Sequence, residues 1–213
     1  MFLKPLAKMV FIWSSGRKNG KTQRKDGQIM NETLQVIKSR RSIRQFQFEQ
    51  ISDAELQVIL EAAIAAPSAM NQQKWHFTVV QDRKVIDEIV KAIIEANLNS
   101  GNEVLMKKVK DPLYDTFYYA PTVIFISADM NAPWVQLDCG MAMQNMMLAA
   151  ESLGLGSCAI ASARLVFQNS HGFEEKLHFP AGYQYVCAVA IGYINGAKPS
   201  PPSKKQDVFT YIK

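Results

Sequence analysis

The sequence predicts a domain of interspersed helices and strands, in the α/β or α+β class. Segments with apolar residues at helical spacing alternate with short β-rich runs, of which about four are visible. The composition is globular, with 48% apolar and 20% charged residues. A chain of 213 residues can form one domain with a substantial core, or two small domains.

Two helices are predicted before residue 67. Asn31 is placed to cap a short helix that continues through Lys38. Ser52 and Glu55 have capping-box spacing and open a second helix, which Pro67 ends. The second helix carries its apolar residues on one stripe: Leu56, Ile59, Leu60, Ala63 and Ile64.

A strand and a third helix follow. Residues 76–80 form a β-rich run, and residues 85–94 carry an apolar stripe at helical spacing. Residues 97–115 are polar, and residues 97–102 have no clear period. We expect this region to be a mobile excursion over a site.

The second half of the chain contains one long helix and three strands. Residues 122–127 form a short β-rich run. Residues 133–153 have helical length, with Pro133 near the start and Gly154 after the end. A turn then enters a strand that reaches Ile160, and residues 184–193 form the clearest strand, whose apolar run is typical of burial on both faces.

The predicted helix at residues 133–153 is apolar on most of its sides. Its apolar residues occupy several stripes: Val135, Cys139, Met143, Met146 and Ala150 face one way, and Leu137, Met141 and Leu148 face others. Only Asp138 and Glu151 are charged. Such a helix is buried on most sides, which favours a place at a subunit interface. The alternative is a central helix in the core of a monomer.

Positive charge is concentrated near the N-terminus. The formal net charge is +5, but residues 1–29 carry seven basic residues against Asp26 alone. Residues 30–213 carry 17 basic and 18 acidic residues, so we expect no nucleic-acid partner for this part of the chain. We interpret residues 1–29 as an extension outside the core domain at 30–213: a disordered leader or a start site assigned upstream of Met30. A basic tail that binds nucleic acid or an acidic membrane surface is the alternative.

The sequence has no pattern typical of a membrane span or of a metal site. The longest uncharged run, residues 177–197, is interrupted by proline, glycine and polar residues, so no membrane span is expected. Cys139, Cys158 and Cys187 lie far apart, which favours reduced thiols in a cytoplasmic protein. The three histidines have no metal-ligand spacing, so no metal site is expected.

Arg40, Arg41, Ser42 and Arg44 form a basic cluster where the first predicted helix ends. Guanidinium groups bind phosphate oxygens bidentately, and a serine hydroxyl can join them. A solvated basic turn is the alternative for this segment alone.

The stretch APSAMNQQKW at residues 66–75 is an unusual connector. Its small residues allow a planar ligand to approach the backbone, and Ser68 and Asn71 can hydrogen-bond a polyol or a heterocycle edge. Trp75 either packs beneath such a site or begins the core strand. Nothing in the sequence pairs a nucleophile with a base, and Gly154-Leu155-Gly156 follows a helix, unlike a dinucleotide-binding fingerprint.

Four motifs in order resemble the nitroreductase family of FMN-dependent oxidoreductases. They are SRRSIRQF, AAIAAPSAMNQQKWHFTVV, LDCGMAMQNMMLAAESLGLGSCAI, and AIGY followed by a Pro/Lys tail. The resemblance covers about residues 31–213. It implies an α+β fold with a central mixed sheet flanked by helices, and an intertwined homodimer with two FMN sites at its interface.

The resemblance assigns two groups of residues to FMN. Arg40, Ser42 and Arg44 match a set that binds the phosphate, the ribityl chain and the polar edge of the flavin, with Arg41 at the variable position between them. A second set matches the segment that the partner subunit lends to the flavin: Pro67, Ser68, Ala69 and Asn71.

Two further segments match the family at the flavin face and the phosphate. Ile160, Ala161 and Ser162 match a loop over one flavin face, and Lys204 or Lys205 matches a C-terminal basic residue that binds phosphate. Gln73 matches a family glutamine, whereas Lys74 stands where many members have proline.

The activity implied is a ping-pong reaction at the flavin. NADH or NADPH gives a hydride to flavin N5, and an electron-poor acceptor such as a nitroaromatic or a quinone is reduced at the same place. Two alternatives stay open: a flavin-binding storage or regulatory protein, and a family member with another flavin chemistry such as dehalogenation.

Overall fold

The computed structural model describes residues 23–25, 28–168 and 172–213. The chain divides into two compact units, residues 1–35 and residues 36–213. Within the first unit, strands β1 (Gln23–Lys25) and β2 (Gln28–Met30) pair antiparallel. Most of the predicted N-terminal extension, residues 1–22 and 26–27, lies outside the described residues.

The capping signals in the sequence place two helix starts correctly. Helix α1 is Glu32–Ser39, and Asn31 Oδ1 accepts a hydrogen bond from the Leu34 N–H at 2.9 Å. Helix α2 is Asp53–Ile64, and both bonds of the predicted capping box between Ser52 and Glu55 are present. Each cap satisfies backbone N–H groups that the first helical turn leaves unpaired.

The remaining elements alternate helices and strands. In chain order they are β3 (Trp75–Val80), α3 (Arg83–Leu98), α4 (Glu103–Val109), β4 (Thr122–Asp129), α5 (Val135–Ser152), β5 (Gly156–Ile160), α6 (Arg164–Gln168), α7 (Phe173–Lys176) and β6 (Tyr183–Gly192). None of the described helices is long and apolar enough to cross a membrane.

Strands β3, β4, β6 and β5 form one sheet in that order, flanked by helices. The α+β class is confirmed. Each neighbouring pair of strands is antiparallel, where a mixed sheet was expected. The parallel component among the described residues is one bridge, Ser42–Ser157, because the segment carrying Ser42 runs beside β5 without forming a strand.

The two faces of the sheet are covered by separate apolar cores. Along β4, Val123 and Phe125 belong to a core that also contains α3, and Ile124 and Ile126 belong to one that also contains α5 and residues of α2. Successive side chains of a strand point to opposite faces, so one buried strand supplies both cores. The near-continuous apolar runs in the sequence have this origin.

Helix α5 is the central helix of the second core, two residues shorter at its start and one at its end than predicted. Cys139, Met146 and Ala150 are buried as expected, and Asp138 is buried with them. Leu137 is 62% exposed in the single chain. The helix therefore both fills a core and leaves apolar surface for a further contact.

The short helices were not predicted. Residues 97–115 contain α4, capped by Asn102, whose Oδ1 accepts from the N–H groups of Val104 and Leu105. Helices α6 and α7 have five and four residues. A helix of one or two turns contains too few apolar positions to establish a period.

Candidate functional site

Backbone hydrogen bonds hold residues 42–47 beside the ends of β5 and β6. The Ile43 N–H donates to the Ser157 carbonyl at 2.9 Å, and the Gln47 N–H donates to the Tyr193 carbonyl at 2.9 Å. The side chains of Ile43 and Phe46 are buried in the α3-side core. This leaves Arg44 exposed and Ser42 half-buried at the edge of the sheet.

Two glycines permit this close approach. A Cβ atom at Gly156 would lie 2.9 Å from Ile43 Cγ2, and one at Gly192 would lie 2.8 Å from Pro121 Cδ. Contacts this short require a neighbouring group to move, so the segment that carries the arginines depends on the absence of these two side chains.

Arg40 and Arg44 form no ion pair with a carboxylate in the described part of the chain. Both lie near Cys158. Burial raises the pKa of the Cys158 thiol, and the positive charges of Arg44 and Arg40 oppose that rise. Two guanidiniums without an acidic partner, with Ser42 between them, match the donor set that a phosphate monoester requires.

Arg41 has a different position from its neighbours. Its Nη1 donates to the carbonyls of Lys38 and Arg40, each at 2.8 Å, and so satisfies carbonyl groups at the end of α1. Its Nε is buried and has no hydrogen-bond partner among the described residues. Of the four polar residues in the predicted cluster, Arg41 is the one whose side chain already donates hydrogen bonds to backbone carbonyl groups.

Arg44 lines two cavities. A cavity of about 310 Å³ is lined by Ser42, Arg44, Asn195 and Pro199 among others. A second, of about 340 Å³, is lined by Arg44, Phe46, Phe48, Tyr118 and Gly196 among others. The residues predicted for a phosphate ligand therefore border open space that a ligand can enter.

The predicted connector is a strained turn. Ala69–Asn71 forms a 3₁₀ turn, and Met70, Asn71 and Gln73 have φ values of 51°, 54° and 51°. Residues other than glycine rarely adopt this left-handed backbone. Such strain persists only where neighbouring groups fix it, and it is frequent at binding sites.

Buried and local hydrogen bonds hold the turn. Both carboxylate oxygens of Asp138 lie within hydrogen-bond distance of the Ala69 N–H, at 3.1 and 3.2 Å. The Gln73 N–H donates to Ser68 Oγ at 3.1 Å, and Gln73 Nε2 donates to Asn71 Oδ1 at 3.0 Å. Gln73 therefore organises the two polar residues that the sequence singled out, Ser68 and Asn71.

The end of the connector joins the core. Lys74 forms a long ion pair of 3.8 Å with Asp129. Trp75 begins β3 and is buried in the α5-side core. Of the two interpretations of Trp75, the start of the core strand is the one observed.

The two predicted halves of the site pack against opposite faces of the sheet. Ile43 and Phe46 anchor the arginine segment to the α3-side core, whereas Ala66 and Trp75 anchor the connector to the α5-side core. No hydrogen bond or ion pair joins the two segments in the described part of the chain. The structure therefore anchors the two predicted segments in separate cores.

The remaining predicted residues lie at the end of β5 and in the C-terminal segment. Ile160 ends β5, and its carbonyl accepts from the Tyr185 hydroxyl at 2.8 Å. Ala161 and Ser162 follow and are exposed. Lys204 and Lys205 are exposed in a segment without regular secondary structure, and neither pairs with a carboxylate among the described residues.

A larger cavity, of about 490 Å³, lies past the end of β5. Its lining includes Met130, Gln136, Arg164, Glu174 and Tyr185, and none of the residues predicted from the sequence. The guanidiniums of Arg40 and Arg44, which have no carboxylate partner among the described residues, specify a ligand chemistry, whereas cavity volume alone does not. Over the described residues, no group of three or more His, Cys, Asp or Glu side chains is arranged to hold a metal ion.

Sequence reasoning missed two residues that contact the predicted set. Asp138 was noted only as one of two charges on an apolar helix, and a charge in such a place was the available signal. Tyr118, whose hydroxyl accepts from Arg44 Nε at 3.3 Å, carried no signal in the sequence.

Comparisons with known proteins identify the family. The model of the Nitroreductase family matches residues 37–193. A putative NADH dehydrogenase/NAD(P)H nitroreductase of Archaeoglobus fulgidus is 34% identical over 164 residues, which cover 77% of this chain and 86% of the relative.

Solved structures agree with this match. A nitroreductase with bound FMN from Bacteroides fragilis has a TM-score of 0.81 at 33% identity and covers 86% of this chain and 100% of its own. A nitroreductase with bound FMN from Desulfitobacterium hafniense has a TM-score of 0.80 at 34% identity, with coverage of 87% and 100%. The motifs, the fold and these matches agree, and the chain belongs to the nitroreductase family.

Proposed function

We propose that this protein is an FMN-dependent oxidoreductase that transfers a hydride from NADH or NADPH to an electron-poor acceptor, such as a nitroaromatic or a quinone. The observation that carries the proposal is the pair of guanidiniums, Arg40 and Arg44, at the ends of β5 and β6. Neither has a carboxylate partner in the described chain, and Ser42 lies between them.

The chain's own groups bind and orient the cofactor. Arg40 and Ser42 would donate hydrogen bonds to the phosphate oxygens of FMN, and Lys204 or Lys205 would add positive charge beside the phosphate. The positive charge of Arg44 stabilises negative charge at the polar edge of the ring. The exposed loop that follows Ile160 would hold one face of the ring. When bound, FMN supplies the N5 atom that accepts and passes on the hydride.

The second half of the site comes from a second copy of the chain. The connector that carries Pro67, Ser68, Ala69 and Asn71 is anchored by Ala66 and Trp75 to the core on one face of the sheet, and the arginine segment is anchored by Ile43 and Phe46 to the core on the other face. This separation supports a site shared between subunits. The homodimer follows from this requirement. All three cysteines are free and buried, which fits a reducing compartment such as the cytoplasm.

The test begins with the purified protein and its released pigment. We expect FMN and not FAD, because the arginine cluster matches one phosphate and the sequence has no dinucleotide fingerprint. Anaerobic stopped flow with NADH and NADPH should bleach the flavin absorbance, and a panel of nitroaromatics and quinones should restore it.

Two results would contradict this function. FAD as the main pigment would remove the basis for the phosphate assignment. A flavin that binds but stays oxidised with both nicotinamide donors would indicate a storage or regulatory protein.

A further inference from the structure

Tyr118 contacts the side chain of Arg44 in two ways. Its hydroxyl accepts a hydrogen bond from Arg44 Nε at 3.3 Å, and its ring centroid lies 5.8 Å from the guanidinium carbon. The hydrogen bond is the main cause that raises the pKa of Arg44 above its ordinary value. Both contacts favour one placement of an otherwise exposed and flexible side chain.

The turn that carries Tyr118 is anchored in the core. Asp115 is 4% exposed; its Oδ1 accepts from the Phe117 N–H at 2.6 Å, and its Oδ2 pairs with Arg83 Nη2 at 2.6 Å. The Asp115 carbonyl accepts from the Tyr118 N–H at 3.1 Å. Phe117 is fully buried. Tyr118 is therefore presented from a fixed support.

The backbone at this point is strained. Tyr118 and Tyr119 both have φ of 57°, in the left-handed region that bulky residues rarely adopt. Two such residues in succession cost conformational free energy, which the buried contacts of Asp115 and Phe117 offset. Strain of this kind is frequent where a side chain serves a binding site.

The hydrogen bond to Tyr118 determines which N–H groups of Arg44 stay available to a ligand. Arginine has five N–H groups, one on Nε and four on the two terminal nitrogens. Because Tyr118 takes the Nε–H, the terminal nitrogens are left as the fork that a ligand meets. Both residues line the same cavity of about 340 Å³.

We propose that Tyr118 is a positioning residue for FMN binding, which fixes Arg44 so that its two terminal nitrogens face the oxygens of the cofactor. This inference rests on the proposed function. Tyr118 acts through Arg44 alone, so its contribution should vanish when Arg44 is altered.

The experiment is a double-mutant cycle on the apoprotein, titrated with FMN and followed by flavin fluorescence. Tyr118→Phe keeps the ring and removes the hydroxyl, and we expect the dissociation constant to rise about three- to tenfold. Arg44→Ala should raise it about 10- to 100-fold. Adding Tyr118→Phe to Arg44→Ala should change it by less than about 1.5-fold, because no guanidinium remains to be positioned.

Tyr114 offers a matched control on the same stretch of chain. Its hydroxyl lies 2.8 Å from Thr116 Oγ1, and Lys108 lies over its ring at 5.6 Å, so it makes the same two kinds of contact away from Arg44. Tyr114→Phe should leave FMN affinity unchanged.

The outcomes separate this inference from the function on which it rests. Additive losses in the Arg44→Ala and Tyr118→Phe pair, or a single-variant effect below about twofold, would overturn the positioning role while leaving the FMN site intact. Wild-type protein that does not bind FMN would overturn the proposed function, and this inference with it. Melting temperatures of the apoproteins show whether either tyrosine variant has lost its fold.

Discussion

At the scale of single residues, Asp138 is the group on which the connector depends. It lies in the first turn of α5, is 4% exposed, and faces the Ala69 N–H with both carboxylate oxygens. The partial positive charge of a helix N-terminus stabilises a carboxylate in this position. Because Asp138 is buried and both of its oxygens face the Ala69 N–H, it stabilises the strained backbone of the connector.

Asp138→Leu should destabilise the protein by about 1–3 kcal/mol, because the Ala69 N–H loses its acceptor. Asp138→Asn keeps one carbonyl oxygen and should cost less. Urea unfolding of the two variants measures the difference. Equal losses in both variants would mean that the negative charge, and not the hydrogen bond to Ala69, is what the helix start requires.

The buried thiols give a residue-scale dependence on pH. Burial raises the pKa of Cys139 and of Cys187 from 9.0 to about 12. Because the folded-state pKa lies above the unfolded one, these thiols favour the folded state below pH 9 and lose that contribution as pH rises toward 12. We expect unfolding midpoints to fall over this range, and Cys139→Ala with Cys187→Ala to flatten the fall.

Residue identities in the site were predictable only where they form a local pattern. Arg40, Ser42 and Arg44 lie within five positions and carry chemistry that the spacing makes visible. Asp138 meets Ala69 across 69 positions, and Tyr118 meets Arg44 across 74. Hydrogen bonds over such separations depend on the sheet order, which periodicity does not specify.

At the scale of elements, the segment carrying the arginines requires that β5 and β6 leave room for it. Gly192→Ala tests this requirement. The new Cβ would lie 2.8 Å from Pro121 Cδ and 3.2 Å from Phe46 Cδ1, and neither ring can yield easily. We expect a loss of about 1–3 kcal/mol in thermal or urea unfolding, the usual cost of overpacking.

Pro121→Ala supplies the control for this prediction. It removes the ring atoms that the new methyl group would meet, so Gly192→Ala should cost less in that background than in the wild type. An equal cost in both backgrounds would mean that the strand itself, and not the approach of Pro121, requires glycine.

Element prediction succeeded where caps or long periods exist. Asn31 and the Ser52–Glu55 pair mark helix starts through local hydrogen bonds, and α3 has 16 residues over which a stripe can repeat. Helices α6 and α7 are too short for that, and they lie between two strands whose pairing decides where they pack. The direction of strand pairing likewise depends on contacts distant in sequence.

At the scale of the whole molecule, the single chain leaves apolar side chains without cover. Met70 is 79% exposed, Trp134 71%, Phe209 72% and Ile212 97%. Met70 lies in the connector and Trp134 directly precedes α5, and large exposed apolar groups of this kind are typical of a surface that another chain covers. The apolar sides of α5 predict a place at a subunit interface, whereas only the family resemblance implies a site shared between subunits.

The shared site can be tested by distributing two defects between subunits. If Asn71 of one chain serves the FMN held by Arg44 of the other, a heterodimer of Arg44→Ala and Asn71→Ala chains has one doubly damaged site and one intact site. We expect it to bind one FMN per dimer with near wild-type affinity, in a flavin titration of heterodimer isolated with two affinity tags. Each single-variant homodimer should be clearly weakened, by about 10- to 100-fold for Arg44→Ala.

The inverse arrangement is the matched control. A chain carrying both substitutions, paired with a wild-type chain, places one defect in each site of a shared dimer, so no wild-type site should remain. If both residues instead act within one chain, the two heterodimers exchange their behaviour: the divided pair has two weak sites, and the pair with one doubly altered chain keeps an intact one. Because the variants contain the same substitutions in the same number, only their distribution between chains differs, and general destabilisation cannot produce this reversal. A reversal would place Asn71 with Arg44 of its own subunit and remove the reason for assigning the 66–75 connector to the partner's flavin.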